Sequence, residues 1–141
     1  MNFVLDASVA LLWLAPETNP SGADYATTAL AGLKESQAVA PSLLALEIAN
    51  VVAKLESKGV ITEADSQRYI VLLGRLNITV DQATAAHALG DTLNIARRYK
   101  LSAYDAAYLE LALRTGLPLA TLDAGLAKAA IHAGVLIFGT H

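Results

Sequence analysis

Four acidic residues, spread along the chain, are of a type and placement that could bind a divalent cation in one pocket: Asp6, Glu47, Asp105 and Asp123. If their side chains converge, their mutual repulsion has to be offset by a positive charge. A set of oxygen ligands without cysteine or paired histidine selects hard ions such as Mg²⁺ or Mn²⁺, and it suits zinc poorly. We therefore predict a Mg²⁺ site, with Mn²⁺ as a substitute.

Each of these acids also has a purely structural interpretation. Asp6 and Asp123 could cap helices, and Asp105 could be a first-turn charge that the helix dipole favours. Glu47 is predicted in the interior of a helix, beside its apolar stripe, where an unpaired carboxylate is costly. Its structural alternatives are a Lys or Arg partner on a neighbouring element, or a side chain that leans out to solvent. The prediction of a site therefore depends on all four acids together.

The elements that must position these acids follow from the hydrophobic pattern. Short apolar runs alternate with segments of helical period, which is typical of a parallel sheet flanked by helices. Asp6 ends the first run and Asp123 follows the fourth, at the edge where open parallel sheets bind ligands. We predict a three-layer α/β fold, with residues 1–141 as a single domain. The predicted strands are Phe3-Val4-Leu5, Ala38-Val39-Ala40, Ile78-Thr79-Val80, Leu117 to Thr121 and Val135 to Phe138.

Helical period and capping residues predict the helices. Thr62 and Asp65 are spaced as a capping box, with Asp in place of the usual Glu. Ser102 and Asp123 are expected N-caps, while Gly59, Gly116 and Pro118 are expected to end helices. The helices are predicted over Ser42 to Lys58, Thr62 to Leu76, Gln82 to Tyr99, Ser102 to Arg114 and Ala124 to Ala133, and Pro16 to Gly22 is predicted to be a surface loop.

Composition limits the classes of protein. The chain has 10 basic and 13 acidic residues, a balance that argues mildly against a nucleic-acid partner unless a cation neutralises several acids. Its high apolar share, 55%, with 16% charged residues, suggests a buried interface and a homodimer. Cysteine is absent, which excludes disulfides and thiolate chemistry.

The N-terminal sequence predicts neither a membrane span nor a signal peptide. The uncharged stretch from Ala7 to Pro16 is far shorter than the roughly 18 apolar residues that a span needs. No Lys or Arg precedes Lys34, whereas a signal peptide starts with basic residues. We therefore expect a cytoplasmic protein without membrane contact.

The basic cluster, the tryptophan and the histidines are not assigned to the predicted metal site. Arg97, Arg98 and Lys100 form a basic cluster that could complement a helix dipole or contact phosphate. Trp13 is expected in the core or an interface rather than in a base-stacking platform. The histidines are expected to be surface or packing residues without a metal: His87 and His132, which stand alone on predicted helices, and the last residue, His141.

The motifs argue against several other classes of protein. A haloacid dehalogenase phosphatase starts with a motif resembling Asp-x-Asp, whereas this chain has Ser8 at the second position. A phosphoacceptor receiver needs an acidic pair near the first strand and a Lys at a later strand end, where this chain has Asp6 alone and Thr121. Neither glycine-rich nucleotide fingerprint is present.

The order of motifs resembles the PIN-domain ribonucleases, and most of all the VapC-type toxins of toxin-antitoxin pairs. The motifs are Asp6-x-Ser8; Pro41 followed by Leu46-Glu47-Ile48-Ala49-Asn50; Leu101-Ser102-Ala103-Tyr104-Asp105-Ala106-Ala107-Tyr108-Leu109; and Thr121-Leu122-Asp123. The resemblance covers nearly the whole chain, and all four acidic positions are filled in order.

The resemblance implies a Rossmann-like α/β/α fold and an endoribonuclease with Asp6 and Asp105 as direct metal ligands and Glu47 and Asp123 completing the pocket. It also implies an RNA substrate, a homodimer and a small antitoxin partner. Ser8 and Thr121 would orient carboxylates or water, although either hydroxyl could equally make a local cap or turn contact. The alternative to an enzyme is a PIN-like interaction module with an unused metal site, whose apolar faces bind a protein.

Overall fold

A four-stranded parallel sheet forms the centre of the computed structural model, which describes residues 1–139. The strand order is β3-β2-β1-β4, so the first two strands of the chain lie in the middle of the sheet. Connections between parallel neighbours require crossovers, and the helices between the strands supply them. The strands are β1 (Phe3–Leu5), β2 (Ala38–Pro41), β3 (Ile78–Asp81) and β4 (Leu119–Ala120).

Helices flank this sheet and complete the predicted three-layer α/β architecture. They are α1 (Ala7–Ala10), α2 (Ala23–Gly32), α3 (Leu44–Ser57), α4 (Glu63–Arg75), α5 (Thr84–His87), α6 (Leu93–Tyr99), α7 (Ala103–Thr115) and α8 (Ala124–His132). Short 3₁₀ turns cover Leu11–Trp13, Pro16–Thr18 and Pro20–Gly22, and a π-helical segment, Ala88–Thr92, joins α5 to α6. No helix among the described residues is both long and apolar enough to cross a bilayer.

Three of the five predicted strands are confirmed, and the last two are shorter than predicted. β4 has only two residues, because the chain leaves the sheet at Thr121 to begin α8. The predicted strand over Val135 to Phe138 is reduced to a single parallel bridge between Leu119 and Ile137. Because its neighbour β4 is so short, this segment cannot form a longer ladder of hydrogen bonds.

The predicted helix ends agree with the structure to within about two residues. The Thr62 hydroxyl accepts from the Asp65 backbone N–H at 3.1 Å, and the Asp65 carboxylate accepts from the Thr62 N–H at 2.9 Å, which confirms the capping box. Gly116 ends α7 with a φ of 70°, a conformation that favours glycine.

Two helical segments differ from the prediction. The helix predicted over Gln82 to Tyr99 is interrupted by the π-helical segment, in which the hydrogen bonds skip one extra residue. Helix α2 was not predicted, because its alanine- and threonine-rich sequence has no clear apolar stripe. The Pro16 to Gly22 loop lies largely at the surface, as predicted, and consists mainly of two 3₁₀ turns.

The core determines where the acids lie. All three residues of β1 are completely buried, and α7 is buried along Ala106 to Ala112 where it packs on β1 and β2. This packing places the first turn of α7 near the carboxyl end of β1. Trp13 packs against the core and donates its indole N–H to the Ala26 carbonyl at 2.8 Å, as expected of a packing residue.

Candidate active site

Asp6 lies at the centre of the crevice at the carboxyl end of β1, with only 5% of its surface exposed. Its backbone N–H donates to the Ala120 carbonyl at 3.0 Å, which ties it to the neighbouring strand β4. Although Asp6 precedes α1, its side chain makes no capping hydrogen bond. The interpretation of this side chain as a plain helix cap is therefore wrong.

Two hydroxyl groups hold the Asp6 carboxylate in place. Ser8 donates to Asp6 Oδ2 at 2.6 Å and Thr121 donates to the same oxygen at 2.7 Å. The same hydroxyls accept backbone N–H groups, Ser8 from Leu122 at 2.9 Å and Thr121 from Asp123 at 3.0 Å. Thr121 thus makes both predicted kinds of contact, because it orients a carboxylate and binds the backbone two residues further on. Ser8 orients the carboxylate, but its backbone partner, Leu122, is 114 positions away and is not a local cap or turn contact.

Glu47 lies in the first turn of α3, not in the helix interior as predicted. The difference arises because α3 begins at Leu44 rather than at Ser42, whose backbone N–H donates to the Thr84 hydroxyl at 3.0 Å. Glu47 is half-buried, and Glu47 Oε1 accepts the Tyr108 hydroxyl at 2.6 Å. Its partner is thus a tyrosine, and neither structural alternative for Glu47, a Lys or Arg partner or a solvent-facing side chain, describes the site.

Asp105 and Asp123 lie at the N-termini of two helices, α7 and α8. Asp105 is half-buried in the first turn of α7, as the helix-dipole interpretation predicted, and Ser102 caps this helix. Asp123 does cap α8, since Asp123 Oδ1 accepts from the Leu126 N–H at 2.9 Å. The structural interpretation of Asp123 is therefore correct, and it does not exclude a role for the charge of this residue at the crevice.

Electrostatic effects connect the four acids. Burial raises the pKa of Asp6, against the lowering effect of the Ser8 and Thr121 hydroxyls, and the charge of Asp123 raises it further. Burial raises the pKa of Asp105, and the charges of Asp123 and Asp6 add to this. Burial likewise raises the pKa of Glu47; the Tyr108 hydroxyl opposes the rise, while Asp6 and Asp105 reinforce it. The four acids therefore share one electrostatic environment.

The cluster is open rather than tightly packed. Although all four acids lie within the described residues, no three of them place carboxylate oxygens within 4.8 Å of one another. Mg²⁺ commonly retains several waters and binds proteins through only one or two carboxylates. The oxygen-only donors, the negative charge and the open spacing all fit such an ion, so the residues present are suited to a hard divalent cation.

The prediction that His87 stands alone is wrong. Its Nδ1 atom lies 3.6 Å from Asp91 Oδ2 and 3.9 Å from Glu110 Oε2, and these three residues form the one group of potential metal ligands within 4.8 Å in the described part of the chain. The sequence did not reveal this group, because Glu110 reaches it from α7. Arg114 binds both Glu110 oxygens, at 2.8 and 3.0 Å, so a guanidinium already neutralises this carboxylate.

The remaining predicted residues lie outside the carboxylate cluster or outside the described chain. Arg97, Arg98 and Lys100 are exposed at the end of α6, where they can complement the helix dipole and remain accessible to phosphate. His132 is exposed in the last turn of α8, and His141 lies outside the described residues.

Tyr108 is the residue that sequence reasoning missed at this site. It is completely buried, and burial together with the Glu47 charge raises the pKa of its hydroxyl strongly. It therefore stays a neutral hydrogen-bond donor to Glu47. Its spacing was a usable signal, because residues three apart share a helix face and Tyr108 follows Asp105 by three positions.

Comparison with known proteins identifies the family. Residues 3–132 match the PIN domain family, and the chain therefore belongs to it, as the motifs predicted. Ribonuclease VapC3 from Pyrobaculum aerophilum is 29% identical over 128 residues, which cover 91% of this chain and 94% of that protein.

Solved structures show the same fold. PAE2754 from Pyrobaculum aerophilum superposes with a TM-score of 0.65 at 20% identity, covering 97% of this chain and 83% of that one. VapBC2 from Rickettsia felis, bound to a promoter DNA fragment, gives 0.67 at 16% identity, with 97% of each chain covered. FitAcB from Neisseria gonorrhoeae gives 0.60 at 24% identity, covering 99% of this chain and 97% of that one.

Proposed function

We propose that this chain is a metal-dependent endoribonuclease and the toxin of a toxin-antitoxin pair, acting as one domain in the cytoplasm. The observation that carries the proposal is the Asp6 carboxylate, held by two hydroxyls at a strand end in the electrostatic environment of three other acids. Membership of the PIN family and similarity to a protein named as a ribonuclease support the choice of RNA as substrate.

Asp6 and Asp105 are the residues that would hold Mg²⁺, or Mn²⁺ in its place. Asp6 is held in one orientation before any ion binds, which reduces the side-chain entropy lost on binding. Asp105 shares its electrostatic environment from the first turn of α7. When bound, such an ion lowers the pKa of water and stabilises negative charge on the phosphoryl oxygens.

Glu47 and Asp123 have different roles in this proposal. Glu47, with a raised pKa and a fixed hydrogen bond to Tyr108, is suited to accept a proton from the attacking water. Asp123 contributes charge while its Oδ1 atom caps α8, which keeps that helix end in place beside Asp6. Thr121 connects the two acids, since it donates to Asp6 and accepts from the Asp123 backbone.

We expect cleavage of RNA to require a divalent metal and to leave 5′-phosphate and 3′-hydroxyl ends. The physical reason is that water, rather than the 2′-hydroxyl of the RNA, would be the nucleophile. The purified chain is incubated with mixed cellular RNAs and Mg²⁺ or Mn²⁺, with and without EDTA, and the cut ends are sequenced. Cyclic-phosphate ends would contradict this mechanism, and the sequenced ends would show which RNA is cut.

The alternative is a non-enzymatic PIN-like module that binds a protein through its apolar surface. The observation in its favour is the exposed apolar group Ile70, Val71 and Leu72 on α4. The same incubation separates the two functions, because an interaction module would leave RNA intact with and without metal.

The toxin role has its own test. We expect expression of the chain alone to arrest growth, and a small antitoxin protein, bound to a homodimer of the chain, to relieve the arrest. The apolar, charge-poor composition supports such protein contacts. Growth of a host without the partner is measured against the same host expressing Asp105→Asn. Unhindered growth at verified soluble expression would contradict the toxin role while leaving the nuclease proposal standing.

A further inference from the structure

Tyr104 is an exposed aromatic ring on the turn of α7 that carries Asp105. Its side chain is 66% exposed, and its hydroxyl makes no hydrogen bond to the described residues. By contrast, Tyr25, Tyr69 and Tyr108 donate their hydroxyls to protein acceptors, and Tyr99, whose hydroxyl makes no hydrogen bond to the described residues, is partly buried against the core. An aromatic ring in water loses the favourable burial that such side chains usually gain, so its position beside the acids requires an explanation.

Helix geometry places Tyr104 at the rim of the crevice. Residues four apart lie on the same helix face with Cβ atoms about 5–6 Å apart, so Tyr104 lies one turn before Tyr108. The Tyr108 hydroxyl contacts Glu47, and Tyr104 precedes Asp105 directly. The exposed Tyr104 ring therefore lies on the same face of α7 as the Tyr108 hydroxyl that binds Glu47.

The charge of the protein favours a contact with nucleic acid that does not depend on phosphate attraction. The chain has a net charge of −3, and four of its acids lie at the crevice, so a base contact would add to the affinity that a bound cation and the exposed basic residues supply. Stacking of a base on an aromatic ring does not depend on the charge of the protein. A stacked base would also hold the adjoining phosphodiester near Asp105.

We propose that Tyr104 is the stacking platform for an unpaired base next to the scissile phosphate. This inference rests on the proposed function and deepens it. Paired bases are already stacked within a duplex and cannot use the ring.

The test compares Tyr104→Ala and Tyr104→Phe with the parent at saturating Mg²⁺. The substrate is a single-stranded oligonucleotide that spans a cut site found by end sequencing. We expect Tyr104→Ala to raise KM roughly tenfold with kcat changed by less than about threefold, and Tyr104→Phe to stay within about twofold of the parent. Ile131→Ala, an exposed apolar residue on α8, is the matched control and should change nothing.

A spectroscopic readout separates stacking from a structural role. In an Asp105→Asn background, an oligonucleotide with 2-aminopurine next to the cut site should lose fluorescence on binding, and Tyr104→Ala should remove this quenching. A parent that cleaves RNA while Tyr104→Ala keeps its KM and its quenching would overturn the inference and leave the proposed function intact. A parent that cleaves nothing would overturn the proposed function itself. Unchanged KM with weaker binding of a protein partner would assign Tyr104 to a protein interface and overturn the inference.

Discussion

Asp105→Asn is expected to reduce RNA cleavage by at least about a hundredfold. Replacing a residue that only supports a metal ligand typically lowers metal affinity or activity about 10–100-fold, and Asp105 is proposed to be a ligand itself. The amide preserves the shape of the side chain but removes its charge. Because Ser102 caps α7, the helix does not depend on this carboxylate and the fold should be retained. Cleavage at saturating Mg²⁺ is measured beside the circular dichroism spectrum.

A graded series makes this prediction specific. Asp6→Asn should reduce RNA cleavage as much as Asp105→Asn does. Thr121→Val should reduce cleavage only about 10–100-fold, since it removes one hydrogen bond that orients Asp6. Asp24→Asn is the matched control, because Asp24 is an exposed acid in the first turn of α2. If Asp105→Asn retained cleavage and lost stability, Asp105 would serve only the helix dipole.

Divalent metal is expected to raise the melting temperature by roughly 10 °C at a concentration one hundred times its dissociation constant. Binding to the folded state alone at that concentration stabilises by about 2.7 kcal/mol, and each kcal/mol shifts the melting temperature by roughly 4 °C in a domain of this size. Asp105→Asn should weaken this shift. Melting curves at increasing Mg²⁺ and Mn²⁺ measure it, and the Asp24→Asn protein should respond like the parent.

The pH dependence of the metal-free protein follows from the same charges. The pKa values of Asp6, Glu47 and Asp105 are raised in the folded state. The folded state therefore binds protons that the unfolded state has released, so the contribution of these groups to stability increases as pH falls from neutral through the folded pKa values. This contribution is complete below the unfolded values, near pH 4. Asp81 behaves oppositely, because hydrogen bonds from Arg114 lower its pKa.

Melting temperatures of the metal-free parent and of Asp105→Asn, measured between neutral pH and about pH 4.5, test this sign. At neutral pH the variant should melt at or above the temperature of the parent, since it lacks one of the repelling charges. The difference between the two proteins should shrink as the pH falls. A parent that is more stable than the variant throughout this range would show that Asp105 stabilises the fold as a charge, contrary to the proposal.

Local signals in the sequence were sufficient for the parts of the fold that depend on neighbouring residues. The capping box of Thr62 and Asp65, the Ser102 cap and the glycine end of α7 were all predicted, because caps join residues only three or four positions apart. Asp6 was placed at a strand end by the fully apolar run before it. Placing α2 and the short β4 required more than periodicity, since the first lacks a stripe and the second is ended by the cap of α8.

The sequence by itself determined the family, the four acidic positions and their order along the chain. Only the tertiary structure decided what each side chain contacts, because those contacts join distant segments: Tyr108 to Glu47 across 61 positions, and Thr121 to Asp6 across 115. Such contacts depend on how α7 crosses β1 and β2 and on the strand order that brings β4 beside β1. A one-dimensional pattern does not specify that crossing, since it results from side-chain packing across the whole core.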